Sequence, residues 1–184
     1  MSETTVGYPV SAAQGATAEH TDLIAALGAA RHFLRLTARG LTDDQARQRT
    51  TVSELTVGGL IKHVSAMERL WAAFVVDGPA ALPDFNSFTE ADHLARQDEF
   101  RLLPEETLAG VLHAYEVVAR ATDELVAGLP DLNAGHPLPA APWFTPGESW
   151  SARRTLLHIV AETTQHAGHA DIVREALDGQ KSMG

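Results

Sequence analysis

The sequence predicts an all-α protein built as an antiparallel four-helix bundle. Three observations carry this. Four long segments place apolar residues at alternating steps of three and four, the period of a helix with one buried face. Each segment is bounded by glycine, proline or a capping side chain where a helix should start or stop. No segment alternates apolar and polar residues in the manner of a half-buried strand, and no internal repeat is present.

Residues 1–16 are small and polar and read as a loose lead-in, with residues 17–184 as a single domain. From Thr17 the pattern turns helical, with Leu23, Leu27, Ala30 and Leu34 on one face and Gly40 closing the segment. A short helical turn follows, capped by Thr42 or Asp43. The second long helix starts near Ser53 or Thr56. It carries the stripe Val57, Leu60, Val64, Met67, Trp71 and Phe74, and stops at Asp77-Gly78-Pro79. A short helix fits Thr89 to Phe100. The third long helix is expected from Pro104 to Ala127, with proline in its first turn and Glu105 and Glu106 at the positive end of its dipole. Residues 129–150 form a long connection with five prolines, of a length that is often functional. Ser149 or Ser151 then caps the last helix, over 151–178.

Composition removes several classes of function. The net charge is −10 and the 14 Lys and Arg residues are spread thinly. No basic patch is present for nucleic acid or for an anionic membrane surface. No apolar run approaches the ~20 residues of a membrane span. The N-terminus has no basic and apolar signal segment, so the expected location is cytoplasmic. With 45% hydrophobic residues the chain can bury a substantial core. It has no cysteine, which excludes disulfides, thiolate metal sites and an internal cysteine nucleophile. Any thiol chemistry uses a thiol from outside.

The chemistry-bearing feature lies in HIVAETTQHAGHADIVRE. His158, Glu162, His166 and His169 fall within roughly 80° of one another around one helix. On a helical wheel the larger apolar residues of this segment point closest to His166 and next to Glu162, with His169 and His158 further off. Two ligands one turn apart can grip one ion. A third from a facing helix would complete three protein ligands with a fourth position open, the pattern of a catalytic zinc site. His63, beside the stripe of Leu60, Met67, Leu70 and Phe74, is the natural candidate. Two other readings remain open at this level. His63 is equally a hydrogen-bonded core histidine, and Glu162 and His166 equally pair with each other or with Arg153 or Arg154. His169 is a candidate proton shuttle or hydrogen-bond partner of a ligand, or a surface residue. Trp143 and Phe144 either line a pocket mouth or anchor their loop. His20, His32, His93, His113 and His136 show no partner pattern.

Two stretches, GLTDDQARQRTTVSELTVGGLIKHVSAMERLW and APWFTPGESWSARRTLLHIVAETTQHAGHADIVREALDG, resemble the DinB-like metal-binding bundles. This superfamily includes mycothiol-dependent maleylpyruvate isomerase and related thiol S-transferases. The resemblance spans most of residues 20–179. It implies an up-up-down-down bundle, frequent homodimers and one divalent ion held by a residue of the second long helix and a pair on the last. In the His, Glu, His version those positions are His63, Glu162 and His166. Zinc is the first expectation for the ion, with nickel or iron as alternatives. The resemblance also implies a low-molecular-weight thiol such as mycothiol as co-substrate and an electrophilic small molecule as substrate, for S-transfer or isomerisation. The isomerase carries a further C-terminal domain, a departure that counts against the same reaction here. Hydrolysis by a metal-bound water and a non-catalytic metal-binding stress or scaffold module are the competing expectations.

Overall fold

The computed structural model describes residues 17–182, so the lead-in expected over 1–16 lies outside the described residues. Six α-helices occur among those described: α1 (Ala18–Leu36), α2 (Asp43–Arg47), α3 (Val57–Asp77), α4 (Glu90–Glu99), α5 (Leu108–Gly128) and α6 (Ala152–Asp178). None of these helices is long and apolar enough to cross a membrane.

The caps expected at Thr42, Thr56 and Ser151 are in place, and Thr89 caps α4 as well. The side chains of Thr42, Thr56, Thr89 and Ser151 accept from the backbone amides of Gln45, Gly59, Asp92 and Arg154, satisfying donors that the first turn leaves unpaired. One start differs from expectation. Helix α5 begins at Leu108, not at Pro104, with Thr107 as its cap. Glu106 is engaged elsewhere: it accepts from Leu103 N at 2.8 Å and pairs with Lys62 at 2.7 Å. Asp43 supplies the first anionic partner of α5 instead, accepting from Leu108 N at 2.7 Å.

Contacts at the helix ends set the directions. Glu19 and Arg153, in the first turns of α1 and α6, form an ion pair. Arg174, late in α6, donates to Thr37 O at 2.7 Å, just past α1. These two helices therefore run the same way. Lys62 beside Glu106 puts the starts of α3 and α5 together. His20, at the start of α1, lies 3.0 Å from Leu129 O, just past α5. The long helices thus run up, down, down, up, which corrects the up-up-down-down order that the resemblance implies. The reason is the connection between α3 and α5. Leu82 packs with Trp71 and Phe74 at one end of the molecule, while Leu102 packs with Val57 and Leu60 at the other. The chain is carried back along the ~32 Å of a 21-residue helix before α5 begins.

The fold is mostly α rather than purely so. Strands β1 (Gly135–Pro137) and β2 (Ser149–Ser151) pair antiparallel, with His136 opposite Trp150. Three-residue strands are too short to show a period of two in sequence. The ribbon seats Trp150 in a cluster with Leu27, Trp71, Phe74, Val126, Leu156 and Ile159. A second cluster at the opposite end holds Leu34, Leu60, Ile61, Val64, Tyr115, Ala170 and Val173. His63, Val64 and Met67 of α3 meet Glu162, Thr163 and His166 of α6 between the two clusters.

Candidate metal centre

One donor atom from each of His63, Glu162 and His166 lies within 4.8 Å of the other two. The i, i+4 spacing on α6 brings His166 Nε2 to 3.7 Å from Glu162 Oε2. Helix α3 supplies His63, whose ring centroid is 5.0 Å from that of His166, edge to face. Ligands about 2.1 Å from a tetrahedral ion stand ~3.4 Å apart, so small side-chain rotations complete the set. The pair on α6 thus lies beside His63 of α3.

The surroundings of His63 argue against a satisfied core histidine. The residue is buried, at 3% exposure. Its Nδ1 has no hydrogen-bond partner. The nearest acid, Glu99 Oε2, is 3.6 Å away, beyond hydrogen-bond reach. An unpaired polar atom in the interior is costly. His166 is half-buried, and burial together with the neighbouring His63 pushes its pKa below the usual imidazole range. Its lone pairs are therefore available near neutral pH. Two imidazoles and a carboxylate converging on one point fit a divalent ion.

Two residues absent from the sequence reading close over the trio. Phe100, just past α4, stacks on the His63 ring with centroids 3.9 Å apart. Glu99 lies beside it, and the approach of His63, followed by Arg96, holds its carboxyl below the usual range against the opposing effect of burial. They are seated by Gly58 and Gly59, one turn before His63. A Cβ on Gly59 would overlap the Phe100 carbonyl and come within 2.9 Å of Arg101 N. The Gly-Gly pair in the first turn of α3 is the available signal, since glycine there marks close backbone approach. Gly59→Ala serves as a test. An exposed helix interior gains ~1 kcal/mol from such a change. Here a loss of about 1–3 kcal/mol is expected from overpacking, read as the urea midpoint. A gain in stability would show that the 100–101 segment does not depend on this notch.

The remaining residues of the helical strip have other surroundings. His169 Nδ1 is 3.5 Å from His166 Nδ1, at the long limit of a hydrogen bond. It can orient a neighbouring ligand but is outside the trio. His158 is half-buried, with ring centroids 4.9 Å from Trp71 and 5.0 Å from Trp150. Burial lowers its pKa. Trp143 packs on Phe85 and Phe144 on Trp150. Of the other histidines, His20 completes the cap of α1 with Thr17.

A narrow cavity lined by Met67, Glu68, Trp71, Thr163, Glu162 and His166 adjoins the trio. Met67 and Glu99 also border an open cleft of about 490 Å³ formed with Leu70, Leu82, Phe88 and Arg96. Trp143 and Phe144 do not line it, so the loop-anchoring alternative describes their packing. The cleft has the size of an ordinary small-molecule site.

No curated protein matches the chain. A family model described as mycothiol S-transferase matches residues 22–179, which include all three residues of the trio and every helix except the first turn of α1. With that match, this DinB-like chain belongs to the mycothiol S-transferase family.

Proposed function

We propose that this protein is a metal-dependent S-transferase in which His63, Glu162 and His166 hold one divalent ion and a low-molecular-weight thiol of the mycothiol type is the nucleophile. Zinc suits the donor set, and nickel or iron are alternatives. The observation that carries this reading is the convergence of one donor atom each from His63, Glu162 and His166, on two facing helices, within 4.8 Å of one another. A bound divalent ion supplies Lewis acidity that favours the thiolate form of a coordinating thiol. Glu99 faces His63 Nδ1 at 3.6 Å and is placed to orient the ring. His169 steadies the His166 ring from its Nδ1 side. Phe100 covers His63 and excludes water from that face.

In the net reaction one S–C bond forms and one bond from carbon to the leaving group breaks. The thiol proton passes to solvent and the leaving group departs with its electron pair. The absence of cysteine means that no internal thiol competes for the open position.

The test uses protein stripped with a chelator and reloaded with one equivalent of zinc. Mycothiol and chlorodinitrobenzene are supplied, and the thioether is followed by absorbance. Product is expected only with both zinc and thiol present. Consumption of an ester substrate with zinc and no thiol would favour the hydrolase reading. Stoichiometric zinc with no turnover in either assay would favour a metal-binding module.

A further inference from the structure

We propose that the cleft beside the trio binds the electrophile, and that Arg69 selects an elongated apolar molecule ending in a carboxylate. This rests on the S-transferase reading for the identity of the reacting end, but its test does not require turnover.

The cleft's wall is mainly apolar, from Met67, Leu70, Leu82 and Phe88. Four charged groups border it: Arg69, Asp92, Arg96 and Glu99. Three are engaged. The Asp92 carboxylate accepts from Thr89 N at 2.8 Å and Thr89 Oγ1 at 2.6 Å, closing the cap of α4. Glu99 stands between His63 Nδ1 at 3.6 Å and Arg96 at 4.0 Å. Arg69 pairs with no acid among the described residues. Arg69 is therefore the cleft's cation without an acid partner, while the Asp92 charge is turned to the N-terminus of α4. A guanidinium is the side chain best shaped to hold a carboxylate through two parallel hydrogen bonds.

Position along α3 orders the ligand. Met67 lines both the cleft and the narrow cavity that contains Glu162 and His166. The reacting carbon thus belongs at the end of the cleft nearest His63, where Glu99 faces that ring at 3.6 Å. Arg69 is six residues past His63, or about 9 Å along the helix axis. A chain of several carbons separates the reacting carbon from the carboxylate.

Decanoate and decanol, which share the apolar chain and differ in the head group, are titrated calorimetrically into the zinc-loaded full-length protein below their aggregation limits. Decanoate is expected to bind roughly 10-fold more tightly, as one charge-assisted pair allows. In Arg69→Ala the preference falls to within about 2-fold, whereas Arg120→Ala on α5 retains it. Phe88→Ala weakens both ligands alike. Equal binding of the two by the wild type, or a preference that survives in Arg69→Ala, overturns the assignment. An unchanged Phe88→Ala removes the ligand from this cleft. Because binding is the readout, a protein without thiol turnover still decides this inference. Turnover without a head-group preference refutes it alone and leaves the S-transferase reading intact.

Discussion

Purified His63→Ala is expected to carry no stoichiometric divalent ion, with affinity reduced by more than about 100-fold. Changes to residues that merely support a ligand typically cost 10–100-fold, and removing one of three direct donors exceeds that. His166→Ala should behave alike. Glu162→Gln should weaken binding less than either, because the amide keeps an oxygen and loses only the charge. Elemental analysis and competition with a chromophoric chelator read all three variants. A far-ultraviolet spectrum controls for folding, since His63 also packs on Phe100. Metal content unchanged in His63→Ala would remove the trio as the site.

The largest effect on stability is expected away from the donors. Glu68→Ala should destabilise the metal-free protein by about 3–5 kcal/mol, the cost of stripping one partner from a buried ion pair. Arg31 crosses the interior from α1 to reach Glu68 on α3. Its Nε donates at 3.1 Å and its terminal nitrogen at 2.6 Å, and its other nitrogen donates to Asp123 on α5 at 2.7 Å. Glu68 is 1% exposed and Arg31 3%. Without Glu68 the guanidinium stays buried with a single partner. The double variant Arg31→Met, Glu68→Leu should recover much of the loss, because neither desolvated charge remains. Urea unfolding gives both values. A loss under about 1 kcal/mol for Glu68→Ala would mean that water or Asp123 compensates Arg31.

The Arg31–Glu68–Asp123 link illustrates what sequence reading misses. Nothing about Arg31 in its own helix distinguishes it from Arg35, which pairs with Glu116 near the surface. Glu68 lies next to Met67 of the apolar stripe, yet its partner is 37 residues away in the chain. Glu99 and Phe100 were missed similarly. Their helix, α4, buries no residue of its own, so its periodicity carries no sign that its C-terminal end covers a site. The ribbon of β1 and β2 escaped because it is short, and the late start of α5 because Glu106 has a tertiary partner in Lys62.

By itself the sequence determined where most helices begin and end, and that Glu162 and His166 share a face one turn apart. Caps and helical pitch depend on residues adjacent in the chain, so both are legible locally. His63 stands beside an apolar stripe and matches the family pattern, which by itself leaves other readings open. Only the tertiary structure decided that it meets the α6 pair, with its Nδ1 unpaired, under Phe100 and opposite Glu99. The helix directions, the notch at Gly58 and Gly59 and the cleft beside Arg69 were decided there too. Each depends on how segments far apart in the chain cross, which the return path between α3 and α5 sets and local periodicity does not encode.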